Sequence, residues 1–325
     1  MAFFEPGEAQ DDAYLQLRYP THPFAEESRT HLEQLWAMAE PFTDLQLPRR
    51  ARRSFHAAYW EVYLTAALLD AGLPLAARGR RHFRGKGPDL QVGMRPKVAW
   101  VEATASTPGA GVDHVREAGN RVRAVPDDQI KLRLLASIDE KKAKYDHYVA
   151  SGLVDVGEPF IIAINGAMVP SAQLELALPR IVRCVYPFGH EVLELDLKRH
   201  AITGSHYEFT DCVGKASGAT VSTDWFGRIE NAGTSAVLYS CADVWNPPQV
   251  LGADFVLVHN PLATNPLPRG FLKRGREYWA EKDELRWQHH GASRSACGDS
   301  RDRASRDKSN ANVCSHADWL RGQGD

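Results

Sequence analysis

Cysteine is scarce and scattered. The five cysteines, Cys184, Cys212, Cys241, Cys297 and Cys314, are odd in number and widely spaced, with no CxxC pair. That excludes a disulfide scaffold and fits free thiols in a reducing cytoplasm. Cys314 and His316 alone are too few for a zinc site. No uncharged apolar run approaches the ~18 residues of a membrane span. The N-terminal stretch Met-Ala-Phe-Phe-Glu-Pro-Gly-Glu has neither the basic region nor the apolar run of a signal peptide. The expectation is a cytoplasmic protein with no membrane partner. GxxxxGKS/T, GxSxG and HExxH are all absent, and Gly109-Ala-Gly111 has no third glycine to make a dinucleotide fingerprint.

Net charge is also nearly absent, at -2 over 325 residues. Position changes that picture. Residues 48–97 hold eleven Lys/Arg against three Asp/Glu, a local +8, whereas residues 1–47 hold nine acids and two arginines, a local -7. The plain reading of such a run is a solvated helix face plus a basic loop. The sharper one is a phosphate-binding surface, with Arg49, Arg50, Arg52, Arg53, Arg80, Arg81 and Arg84 as its contacts.

Hydrophobic residues make up 43% of the chain and charged residues 25%, enough for a substantial core. Residues 1–22 read as a loosely attached lead-in. Leu32, Leu35, Trp36 and Ala39 recur at helical spacing and Pro41 stops them. A second helix is predicted from about Pro48 to Ala71, apolar almost all round over Phe55–Leu69 and therefore buried. Strands follow at about Leu75–Ala77, Asp89–Val92 and Val98–Ala103, and a long helix runs from Pro126 to about Ser151. Phe160–Asn165 is a continuous apolar run of the kind buried inside a mixed or parallel sheet. A short helix is predicted near Ser171–Leu178, and further strands near Glu191–Asp196, Ser235–Ser240 and Phe255–His259. This order indicates an α/β protein with a central mixed sheet flanked by helices. Residues 1–288 read as one elaborated domain. Residues 289–325 hold too little bulky apolar content to offset ordering entropy and read as a disordered tail.

Three acids stand out by context. Glu61 lies inside the apolar helix on a face with Ser54, Ala57, Ala58 and Thr65, and a lone buried carboxylate is costly unless paired or bound to a cation. Asp89 stands at a strand entrance after Gly87-Pro88. Glu102 sits in the strand Val98–Ala103, where alternation points Trp100, Glu102 and Thr104 one way. Carboxylates on two adjacent strands and a neighbouring helix can make a hard oxygen site for Mg²⁺, or Mn²⁺ in its place. The plain alternative is that Asp89 caps a turn, Glu102 pairs with a cation and Glu61 is a satisfied core acid. His56, one turn before Glu61, reads as a helix-surface histidine.

Gly87-Pro88-Asp89 followed by Val101-Glu102-Ala103-Thr104 resembles the PD-(D/E)xK nuclease superfamily, over about residues 48–165. The resemblance implies a restriction endonuclease-like core (about 48–165) with N-terminal helices and a C-terminal α/β extension (about 166–288). It implies that Glu61, Asp89 and Glu102 are catalytic metal ligands. It further implies a Mg²⁺-dependent phosphodiesterase acting on nucleic acid, DNA ahead of RNA. One departure matters: the lysine expected two residues after Glu102 is replaced by Thr104. Such families sometimes supply the lysine from the next helix. There Arg133, Ser137, Lys141, Lys144 and Tyr148 form one stripe, with Lys141 the leading candidate ahead of Lys131 and Lys144. Thr104, Gln129 and Arg133 are auxiliary candidates. The alternative is an eroded nuclease-like fold acting as a nucleic-acid- or protein-binding module. A homodimer is compatible with the sequence but not specified by it.

Overall fold

The computed structural model describes residues 2–81, 87–94, 96–117, 119, 122–281 and 284–291. Arg84, Cys297, Cys314, His316 and the tail assigned above from residue 292 onward lie outside the described residues.

The N-terminal quarter is helical: α1 (Asp12–Arg18), α2 (Pro23–Ala39), α3 (Leu47–Ala51) and α4 (Phe55–Asp70). The lead-in is not loose. Phe3 is fully buried against Trp36 and Phe55, and Tyr14 and Leu17 are buried on α1. The single helix expected over 48–71 is two, because Ser54 leaves helical geometry (φ -150°, ψ 66°) between α3 and α4. Asp11 fixes this break. One carboxylate oxygen accepts from the Tyr14 amide at 3.1 Å and the other from the Phe55 amide at 3.0 Å, so one side chain caps two helices. Helix α4 buries residues on every side, as its composition predicts.

The sheet begins with β1 (Leu90–Met94) and β2 (Lys97–Ala105), an antiparallel hairpin. Gly93, paired with Val98 just before the hairpin turn, has φ 79°, and a Cβ there would collide with the Lys97 carbonyl. Helix α5 (Asp127–Ala150), ended by Gly152 at φ 72°, crosses over to β3 (Phe160–Asn165), which runs parallel to β2. Residues 171–178 form turns rather than a helix; the helix starts later, as α6 (Arg180–Val185). Two small hairpins follow: β4 (Phe188–Asp196) with β5 (Ala201–Phe209), and β6 (Cys212–Gly214) with β7 (Thr220–Ser222). The chain then re-enters the main sheet with β8 (Ala236–Ser240), β9 (Val256–His259), β10 (Gly275–Glu281) and β11 (Glu284–His290). His289 and His290 therefore belong to a strand, not to the tail.

The result is an α/β fold around a seven-stranded mixed sheet of order β1-β2-β3-β8-β9-β10-β11. Strands β2, β3 and β8 are parallel in the middle, and the segment beyond residue 166 completes the same sheet. Alternation separates two cores. Val101, Ala103, Ile161, Ala163 and Leu238 face α1–α4, whereas Trp100, Ile162, Ile164 and Val237 face α5 and α6. The fully buried Trp60 donates its indole N–H to the Ala163 carbonyl at 3.1 Å and so locks α4 on the sheet. Among the described residues no helix is long and apolar enough to cross a membrane.

Candidate active site

The edge strand β1 positions the acids. Asp89 immediately precedes it, and Leu90 pairs with Val101, which brings Asp89 beside Glu102 on β2. The Ala103 amide donates to Asp89 Oδ2 at 2.7 Å. Glu102 points to the α5 side of the sheet, as alternation predicts, and is 2% exposed. There its Oε1 accepts from Lys141 Nζ at 3.1 Å and Lys144 Nζ at 3.0 Å, while Oε2 accepts from the Tyr148 hydroxyl at 3.1 Å. Spacings of three and four place these three α5 side chains on one stripe. Glu61 comes from α4 on the other side. Arg50 grips it with two bonds, at 3.1 and 2.9 Å.

The three carboxylates feel one another. Burial pushes Asp89 well above the usual carboxylate range, and the charges of Glu61 and Glu102 push it further; the Ala103 amide and Lys141 only partly oppose this. Glu61 is raised by burial and by Glu102, against the pull of Arg50. Tyr148 is raised by burial and then by Glu102 and Asp89. Burial opposes charge on Lys144, but the carboxylates of Glu102 and Asp89 outweigh it, so its pKa is raised. Counting formal charges, Arg50, Lys141 and Lys144 match three carboxylates, yet the cations sit on Glu61 and Glu102. Among the described residues Asp89 has no ion-pair partner, and its one direct bond is the backbone amide.

This donor set suits a hard divalent cation in chemistry: all ligands are oxygens, and Asp89 is short of positive charge. Among the described residues, however, no group of three or more His, Cys, Asp or Glu side chains closes into a metal-holding cluster. Glu61 and Glu102 are instead satisfied by cationic side chains.

The auxiliary candidates separate. Thr104 lies on the Glu102 face of β2, half-buried. Gln129 is in the first turn of α5, about 18 Å along the axis from Lys141 at 1.5 Å per residue. Arg133 donates to the Thr107 carbonyl at 3.0 Å and so holds the loop after β2. Lys131 pairs with Asp128 at 2.8 Å and Asp127 at 3.5 Å, away from Glu102. His56 is not a surface histidine: its Nε2 is 2.8 Å from Asn165 Oδ1, and burial lowers its pKa.

The arginines divide likewise. Arg49, Arg50, Arg52 and Arg53 line a groove of about 540 Å³ with Glu8 and Gln46. Arg49 and Arg53 are exposed there, as is Arg80 elsewhere. Arg52 is held by Glu5 at 2.6 Å, and Arg81 is bonded to the Phe42 carbonyl. These two serve the fold. Sequence reasoning treated Arg50 as a phosphate contact and missed it as the partner of Glu61. The two lie eleven residues apart across a helix break, so no periodicity signals the pair. Tyr148 stood on the right stripe without an assigned role, and Lys144, ranked behind Lys141, binds Glu102 beside it.

No protein-family profile, no curated protein and no solved structure matches this chain.

Proposed function

We propose that the chain is a metal-dependent phosphodiesterase acting on nucleic acid, DNA ahead of RNA, built on a restriction endonuclease-like core. The supporting observation is the convergence at one sheet edge of Asp89 and Glu61, both raised in pKa by burial and by the charge of Glu102, with Lys141 Nζ bonded to Glu102. In this reading Asp89 and Glu102 hold Mg²⁺ or Mn²⁺, and Glu61 joins directly or through water. Bound metal supplies a polarised phosphate and an activated water. Lys141 takes the place left by Thr104: delivered from α5 rather than from β2, its ammonium orients water or the scissile phosphate. Arg49 and Arg53 hold the phosphate backbone from the adjoining groove, which gives affinity without sequence information.

The test is cleavage of plasmid and oligonucleotide substrates under Mg²⁺ or Mn²⁺ titration. Asp89→Ala and Glu102→Ala should abolish turnover, and Lys141→Ala should lower the rate with binding retained. Normal cleavage by the two acid variants would sink the assignment.

One observation favours a second reading. Glu61 and Glu102 are already neutralised by Arg50, Lys141 and Lys144, as in a site that has traded metal for internal ion pairs. A non-catalytic nucleic-acid-binding module follows from that. It predicts salt-sensitive binding, no turnover in Mn²⁺, and no Mn²⁺ binding by calorimetry.

A further inference from the structure

The β4–β5 ribbon carries a pattern that its surroundings do not satisfy. Its sequence Val192-Leu-Glu-Leu-Asp-Leu197 alternates aliphatic and acidic residues, the signature of a strand with one buried face. Leu193 and Leu195 share that face, Leu197 follows them in the turn, and the register, after a shift between Glu194 and Leu195, sets Ile202 of β5 opposite Leu195. Yet these four are 55%, 57%, 75% and 62% exposed. The ribbon is a separate two-stranded sheet, attached near its root by Phe188, which packs edge-on to Tyr186 and Tyr207. A two-stranded ribbon is marginally stable alone in water. A contiguous exposed aliphatic patch of this kind marks an interaction surface.

Charge identifies the partner. The root of the ribbon carries Glu191 and Glu208, both exposed, and the tip carries Lys198 and Arg199. Asp196 accepts from the Lys198 and Arg199 amides at 2.8 and 3.1 Å, which fixes the turn that presents the two cations. Arg199 also pairs with Asp196 at 3.5 Å, so the ribbon is negative at its root and keeps a net positive charge at its tip through Lys198. Two copies laid antiparallel about a twofold axis put each tip on the other's root and bury the leucine faces together, an isologous contact.

We propose that this ribbon is a dimerisation arm and that its partner is a second copy of this chain. A nine-residue strand spans about 30 Å, so each tip reaches the opposite root. The face is smaller than the ~800 Å² per partner of a standard interface, which makes the dimer a weak, micromolar one. The inference does not depend on the nuclease reading, because the ribbon contains none of the residues assigned to it.

Sedimentation velocity of the full chain over about 1–100 µM tests the proposal. The expected result is a concentration-dependent monomer–dimer equilibrium. Leu195→Lys/Ile202→Lys should give monomer with unchanged circular dichroism and melting temperature. The strand-compatible pair Leu193→Thr/Leu195→Thr should weaken the dimer at least about tenfold, which covers the case in which the lysine variant misfolds. Lys198→Glu/Arg199→Glu should weaken it similarly, and adding Glu191→Lys/Glu208→Lys to the same chain should restore it. A wild-type chain monomeric throughout the range overturns the proposal. So does a dimer untouched by the threonine pair, or a ribbon that binds duplex DNA or anionic vesicles in place of itself.

Discussion

Helix α5 touches two clusters of charge, and they are built in opposite ways. At its N-terminus Asp127 accepts from Arg180 Nε at 2.8 Å and from both terminal nitrogens of Arg183 at 2.8 Å, with Lys131 at 3.5 Å. Arg180 and Arg183 are 1% and 2% exposed and come from α6, so the cluster clamps α6 to α5. Burial raises the Asp127 pKa, but the two guanidiniums outweigh it and hold the carboxyl well below its usual range. Around Lys141 the charges match in number, but the cations sit on Glu61 and Glu102. Acids approach one another at the sheet edge, and Asp89 is driven up. A structural cluster surrounds each acid with cations; the β1–β2 edge holds an acid with no ion-pair partner among the described residues. That contrast is the physical ground for looking for chemistry at one cluster and not the other.

The largest expected effect belongs to the structural cluster. Asp127→Ala leaves two buried guanidiniums uncompensated and should cost about 3–5 kcal/mol in urea denaturation. A loss below about 1 kcal/mol would erase the distinction between the clusters. Lys141→Met leaves Glu102 with Lys144 and Tyr148, and should cost about 2 kcal/mol, the range of a charged hydrogen bond. Lys144→Met should cost less, about 0.5 kcal/mol, because that ammonium is 45% exposed.

Opposite in sign, and between the two lysine variants in size, is Asp89→Asn. A carboxyl whose folded pKa is raised binds more protons in the folded chain, so stability falls as pH climbs from the ordinary value near ~3.9 toward the folded value. Asn removes this loss. The variant should be about 1 kcal/mol more stable at pH 7–8 while losing cleavage. Asp127 has the reverse dependence: its contribution is complete above about 3.9 and fades as pH falls toward its lowered folded value. Melting curves of Asp89→Asn and Asp127→Asn against pH should therefore flatten opposite limbs of the wild-type profile. Smallest in stability is Arg49→Ala/Arg53→Ala, within about 0.5 kcal/mol, with its effect confined to a shallower salt dependence of nucleic-acid binding.

The strongly periodic parts of this architecture were legible in the sequence. α2, α5 and β3 fall almost where apolar spacing puts them, and the alternation of β2 aims Glu102 at the lysine stripe of α5. What escaped depended on contacts distant along the chain. The α3–α4 break needs Asp11, forty-four residues before Phe55. β10 hides behind its charges, because the fully buried Glu277 is met by the Gly270 and Leu272 amides, which donate to it at 2.8 and 2.7 Å, and by His259 and His290 at 3.6 Å. Arg180 and Arg183 look like surface residues until Asp127 is placed beside them. Arg50 meets Glu61 only because a turn folds α3 back. The carboxylate constellation could be proposed from pattern, but its charge balance could not.

Helix α4 also sets a timetable. Its anchors lie far downstream: Trp60 on Ala163, Tyr59 on the Asp243 carbonyl at 3.0 Å, and Tyr63 on Asp254. At about 5–20 residues per second of synthesis, the interval between completion of α4 and arrival of residue 254 is about 10–40 s. Throughout it, the most apolar helix of the nascent chain has only its N-terminal neighbours for cover. Phe3, Tyr14 and Trp36 thereby act as a built-in escort, and trimming the first eighteen residues should reduce the yield of soluble chain out of proportion to the stability lost.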